Sequence, residues 1–243
     1  MTIMVCLFNP KHHWGWFVKL NRMREEFRPQ EPDIGLLKHL VQEGYKIFRT
    51  HRLEINFASR CSPLSDRQAI ASRLQSAKDL SKTTEKDIAV YMFKALSTMG
   101  SEEDLLYFLP RALELAARGL IEPDSLWYSH ETLLLKKIGQ LKEEEEALDP
   151  EEIEFLNKFF DAVWIIIIST FPNRKWMPLD FLEEIEALTT QDRFLNSWLN
   201  STNAGSTKTL IYYATDELHF LKDSPTKTWL QSEPVLEKIM PHL

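Results

Sequence analysis

The sequence predicts an all-α protein: an irregular antiparallel helical array or bundle, HEAT-like α–α stacking included, of about nine or ten helices. Three observations predict it. Apolar residues recur at steps of three and four through most of the 243 residues. Gly is scarce, at 7 residues, while Leu is abundant; a Gly inside a helix costs about 1 kcal/mol relative to Ala, whereas Leu costs little. Ser, Thr or Asp stands ahead of one apolar run after another, as helix capping requires.

The first periodic segment carries Trp16, Leu20, Met23 and Phe27 on one face and closes at Pro29 and Pro32. Asp33 is placed to cap the next, with Ile34, Leu37, Val41, Tyr45 and Phe48. Arg49 to Pro63 is polar and mixed, and reads as a loop. Ser65 and Gln68 fit a capping box ahead of Ile70, Leu74, Ala77 and Leu80. Thr84 and Asp87 introduce Ile88, Tyr91, Met92, Ala95 and Leu96. Ser101, with Asp104 three residues on, starts a broad apolar face of Leu105, Phe108, Leu109, Ala112, Leu113 and Ala116, and Gly119 is placed to end it. Pro110 lies inside that segment. It lacks an N–H and clashes with the carbonyl four residues back, so a kink or break is expected there.

Residues 124–139 read as a further helix, with Leu126, Trp127, Leu133, Leu134 and Ile138. After the charged run Lys142 to Glu146, Asp149-Pro150-Glu151-Glu152 is a strong helix start: a cap, a first-turn proline and acids facing the positive end of the helix dipole. The helix runs through Ile153, Leu156, Phe160, Val163, Trp164 and Ile167. It is apolar nearly all round at Trp164 to Ile168, which places it in the core. The four consecutive Ile also suit a buried strand, but the unbroken period from Ile153 favours helix. Pro178 opens a segment with Leu179, Leu182, Ile185 and Leu188, and a short one follows at Phe194, Leu195, Trp198 and Leu199. Asn200 to Thr207 is loop-like. Thr209 to Tyr213 reads either as a strand or as the start of a helix ending near Leu221. Pro225 and Pro234 look like first-turn prolines of short terminal helices. No fixed-period repeat is visible. One helical domain over 1–243 is expected, divided into N-terminal helices and loop (1–62), a central helical core (63–200) and C-terminal helices (201–243).

The formal net charge is −7. It is unevenly spread, with net +4 over 1–60, +2 over 61–100, −12 over 101–190 and −1 over 191–243. The acidic middle repels a phosphate backbone, so no nucleic-acid partner is expected. The apolar run Ile3 to Phe8 has no basic region before it and is too short for a secretory signal. The run Ala162 to Ile168 is far short of the roughly 20 residues that span a bilayer. No membrane partner is expected, and the reading is a soluble, cytoplasmic protein. Cys6 and Cys61 are far apart; two free thiols suit a reducing compartment, as buried small apolar groups.

No motif assigns an activity. The chain has no Gly-rich phosphate loop, no G-x-S-x-G, no H-E-x-x-H and no C-x-x-C. No cofactor and no metal are expected. His12 and His13 are adjacent and point apart, which does not suit one ion. His51 and Glu54 would share a face only on a helix, and they lie in an expected loop. The Glu143 to Glu146 run and Glu183, Glu184 and Glu186 read as solvated faces. Trp14, Trp16, Trp127, Trp164, Trp176, Trp198 and Trp229 are scattered and suit core packing better than a ligand platform.

The sharpest local feature is Tyr107-Phe108-Leu109-Pro110-Arg111-Ala112-Leu113-Glu114-Leu115. The carbonyl freed by Pro110 is a natural acceptor for the forked guanidinium of Arg111. Arg111 and Glu114, three apart, can pair on one face. One reading is a charged pair lining a groove, with Asp104 and Trp127 as further binding residues. The other is a buried Arg tying a kinked helix to its neighbour.

Ala95-Leu96-Ser97-Thr98-Met99-Gly100, then Asp104, then Tyr107 to Leu115 resembles an uncharacterised bacterial protein family. Its members carry A-[LM]-x-T-x-G followed by D-x-x-[YH]-F-L-P-R-x-L-E-L, and later an F-F-D-A-x-W helix similar to Phe159 to Trp164 here. The resemblance covers about residues 60–170. Members often show an upstream Cys pair, where this chain has Cys61 alone. The resemblance implies an all-helical fold and no assigned activity, so it carries over no catalytic residue. The expectation is a non-enzymatic helical module that binds another protein, a basic one, in an adaptor or toxin-neutralising role. The alternative is an enzyme with a dispersed polar site beside the helix at Pro110.

Overall fold

The computed structural model describes residues 31–61, 65–121, 131–143, 147–170, 177–219 and 221–243. Among them are twelve α-helices and no strand, so the protein is all-α. The predicted helix at Trp16 to Phe27, the His12–His13 pair, Cys6, Trp127 and Trp176 lie outside the described residues.

The first helix, α1 (Glu31–Ile47), leads into a 3-10 turn (Phe48–Thr50). It begins before Asp33, which sits in its first turn rather than at its cap. The expected loop from Arg49 holds a short helix, α2 (Phe57–Arg60), anchored by fully buried Phe57. Next come α3 (Ser65–Ser76), a 3-10 turn (Leu80–Lys82) and α4 (Glu85–Lys94). Ser65 is already helical in α3, and Gln68 donates to the Ala58 carbonyl at 2.9 Å. The α4 start is as expected: Thr84 Oγ1 accepts from the Asp87 amide at 3.1 Å.

The long helix α5 (Glu102–Ile121) runs through Pro110 without the break that was one of the two expected outcomes. A proline in a helix costs about 3 kcal/mol locally. Here the segment is buried on nearly every turn, and tertiary packing, which supplies most helical stability, outweighs that cost. Gly119 is likewise buried within α5 rather than terminating it. Ser101 and Asp104 cap α5 reciprocally: Ser101 N donates to Asp104 Oδ2 at 2.8 Å, and Asp104 N to Ser101 Oγ at 3.4 Å. Before them Gly100 adopts φ +79°, a conformation open to glycine at little cost.

Then follow α6 (Glu131–Glu143) and α7 (Pro150–Ser169). The α7 start has the cap, proline and acids read from the sequence, and the structure closes them as a capping box: Asp149 Oδ1 accepts from Glu152 N at 2.9 Å, and Glu152 Oε2 from Asp149 N at 3.0 Å. The four Ile are helical, with Ile166, Ile167 and Ile168 buried. The C-terminal part holds α8 (Pro178–Ile185), α9 (Asp192–Asn200), α10 (Ala204–Tyr212), a π-turn (Tyr213–Glu217), α11 (Pro225–Leu230) and α12 (Glu233–Ile239). Thr209 to Tyr213 is therefore helix and not strand. Pro178, Pro225 and Pro234 all occupy first-turn positions.

Helix α1 packs against both α5 and α7, and α7 in turn carries α8, α9 and α10. Close approach is set by small residues. A Cβ on Gly44 of α1 would lie 2.9 Å from the Phe155 ring of α7. One on Gly205 of α10 would lie 2.1 Å from the Ser169 carbonyl oxygen at the end of α7. One contiguous apolar cluster extends from Leu37 to Ile239. Trp164 lies deep in it, stacked on Phe181 at 5.3 Å, with the Trp198 ring edge-on at 5.5 Å. Its indole N–H donates to the Phe194 carbonyl at 3.0 Å.

Candidate functional site

The helix that carries the sharpest sequence feature places Arg111 and Glu114 one turn apart on a face toward α1. Arg111 is 7% exposed. Its Nη1 lies 2.6 Å from Glu114 Oε2, and its Nη2 donates to the Thr83 carbonyl at 2.9 Å. The acceptor is thus a carbonyl on the loop before α4, and not the one freed by Pro110. Glu114 Oε2 also accepts from the Tyr45 hydroxyl of α1 at 2.6 Å. Burial, followed by the hydrogen bond to Glu114, pushes the Tyr45 phenol well above the usual tyrosine range. A guanidinium can leave water at this depth because a carboxylate and a carbonyl replace it. The result is a three-way tie between α1, α5 and the Thr83 loop.

Asp104 is fully buried and forms a second hub. Its Oδ2 meets Arg60 Nη2 at 2.7 Å and accepts from Ser101 N and Ser101 Oγ. Its Oδ1 accepts from the Glu54 amide at 3.2 Å. Arg60 also reaches Glu54 at 3.1 Å. Tyr91 lies nearby, its ring 4.6 Å from Phe108, and burial raises its phenol far above the ordinary value. Cys61 is buried with its thiol directed at the Phe57 carbonyl, and burial raises its pKa as well. A thiol so placed is a packing group, since the thiolate is the nucleophile.

His51 does not pair with Glu54. Its Nε2 lies 2.5 Å from Glu152 Oε1 on α7, and its Nδ1 lies 3.1 Å from Glu103 Oε1 on α5. Among the described residues no three His, Cys, Asp or Glu side chains converge as a metal-ligating group. Asp104 and Arg111 sit in separate hubs of the same helix, and Trp127 lies outside the described residues. Sequence reasoning missed Tyr45, Arg60, Glu103 and Glu152 as partners. Glu152 is legible only as a first-turn acid of α7; nothing in the sequence ties Tyr45 to Glu114, 69 positions away.

A separate opening lies in the C-terminal part. A cleft of about 520 Å³ is lined by Thr202, Thr207, Lys208, Ile211, Lys238 and His242. Lys238 Nζ donates to the Ser201 carbonyl there at 2.7 Å. Among the described residues no helix is long and apolar enough to cross a membrane. The fold and these hubs define an all-α protein whose singled-out charged residues tie helices together. No protein-family model, curated protein or solved structure matches the chain.

Proposed function

We propose that the chain is a cytoplasmic, non-enzymatic helical module that binds a basic protein through the acidic surface at the starts of α5 and α7. The observation that carries this reading is the grouping of exposed acids there. Glu102 and Glu103 open α5, and Asp149 and Glu151 open α7; all four are exposed. Because His51 touches both Glu103 and Glu152, the two helix starts are neighbours. The whole 101–190 section carries net −12, so its field favours a cationic partner and speeds its encounter. A second support is the use of Arg111, Glu114 and Asp104 as interhelical ties, which leaves the helices as a rigid support for a surface. The cytoplasmic setting rests on Cys61, a free buried thiol.

The test is affinity capture from native extract at low salt, using the full chain and a Glu102→Lys/Glu151→Lys variant. A basic protein that the native chain holds, that high salt releases and that the variant fails to hold supports the reading. Capture of no protein, or equal capture by the variant, overturns it.

A further inference from the structure

His51 follows the 3-10 turn after α1 and is wedged between two other helices, its side chain 15% exposed. One ring nitrogen faces Glu152 Oε1 at 2.5 Å, and the other faces both Glu103 oxygens at 3.1 Å. Ionised carboxylates only accept hydrogen bonds. Both contacts are therefore hydrogen bonds only when both ring nitrogens carry hydrogen, that is, in the imidazolium. A neutral ring presents one N–H and one lone pair, and the carboxylate that meets the lone pair is repelled. We propose that His51 is a proton-operated clasp between the starts of α5 and α7, closed while the ring is charged and opened by loss of its proton as pH rises.

The surroundings leave the ring little alternative. Glu152 cannot turn away: its side chain is 4% exposed, and its second oxygen accepts from Asp149 N in the α7 capping box. Glu103 is held by the Arg52 amide at 3.2 Å. The Arg52 guanidinium folds back onto the Arg49 carbonyl at 2.5 Å and so does not take the place of the imidazolium. The Phe48 ring, 6.0 Å away, supplies an apolar wall. Burial by itself lowers the pKa of His51, but hydrogen bonds to Glu152 and Glu103, with their charges, outweigh it and raise the value overall. The sign follows. A raised pKa means the clasp is complete below the unfolded-state value of about 6.5 and is lost as pH rises through the folded-state value. Deprotonation takes the trio from one net negative charge to two, with Glu152 buried. The other anchor of this segment, Asp104 on the Glu54 amide and Arg60, contains no histidine. The opening is accordingly local to about Phe48–Leu53.

The experiment is an NMR titration of the His51 ring in the native chain, in the urea-unfolded chain and in Glu103→Gln. It is paired with hydrogen exchange of segment 48–54 across the same pH range, corrected for intrinsic base catalysis. The native chain is expected to titrate at higher pH than the unfolded chain, and Glu103→Gln to fall below the native value. Corrected exchange of 48–54 is expected to rise several-fold through the native midpoint, while segment 65–76 stays flat. In His51→Gln that rise is expected to vanish. A native midpoint no higher than the unfolded one overturns the clasp, as does an exchange rise that persists in His51→Gln. Should His51→Gln fail to fold, an unchanged midpoint in Glu103→Gln, altered at a half-exposed residue, overturns it equally. Glu102 and Glu151, the residues altered in the capture experiment, lie outside the clasp, so the two proposals fail independently.

Discussion

The Tyr45 hydroxyl donates to Glu114 Oε2 at 2.6 Å, on the same oxygen that Arg111 Nη1 approaches at 2.6 Å. One carboxylate oxygen thus joins α1 to α5 and holds the buried guanidinium. Tyr45→Phe removes one donor to a charged acceptor and is expected to lower unfolding free energy by about 1–3 kcal/mol. Arg111→Ala leaves Glu114 and the Thr83 carbonyl without their cation, and about 3–5 kcal/mol is expected. Urea unfolding of both single variants and the double variant checks this. The double variant should lose less than the sum, because the two residues share one partner.

Acid pH should act at the α3–α4 junction. Arg73 Nη2 and Nε meet Asp87 at 2.5 and 3.0 Å. The hydrogen bond from Arg73 outweighs burial and holds the Asp87 carboxyl below its usual range. A depressed pKa means the pair stabilises above the unfolded value of about 3.9 and is lost as pH falls through the folded value. Stability measured against pH for the native chain and Arg73→Met should therefore differ near neutrality and converge in acid. Curves that stay parallel throughout the acid range would refute this account.

Gly205 permits α10 to touch the end of α7. Gly205→Ala places a methyl against the Ser169 carbonyl, a backbone atom that cannot rotate aside. The helices must separate, and about 1–3 kcal/mol of destabilisation is expected. The bond from Thr209 Oγ1 to the Ile168 carbonyl, 2.8 Å here, should be lost with it. Hydrogen exchange should then rise in α10 more than in α5.

Trp164 is 1% exposed among Phe181, Phe194 and Trp198. Trp164→Ala should cost about 3–5 kcal/mol through the cavity left behind. Trp164→Phe keeps much of the ring volume but loses the indole N–H bond to the Phe194 carbonyl, so a smaller loss is expected. Thermal unfolding and near-ultraviolet circular dichroism distinguish the two.

Most of the longer helices and many of their ends are legible in the sequence, whereas the short helix at Phe57–Arg60 and the start of α10 at Ala204 are not. Apolar period, caps such as Thr84 and Asp149, and first-turn prolines such as Pro178 act within about four residues, so they are legible without knowing the fold. Where local rules pointed to an interruption, at Pro110 and Gly119, burial of α5 on nearly every turn overrode them. The pairing of Arg111 with Glu114 was legible because both lie on one helix face. No local rule says that Tyr45 completes that pair, that Arg111 reaches Thr83 across 28 positions, or that His51 meets Glu152 across 101. Such contacts depend on which helices pack side by side. That choice is made by shape at places like Gly44 against Phe155 and Gly205 against Ser169, where the absence of a side chain has no meaning until its neighbour is in place.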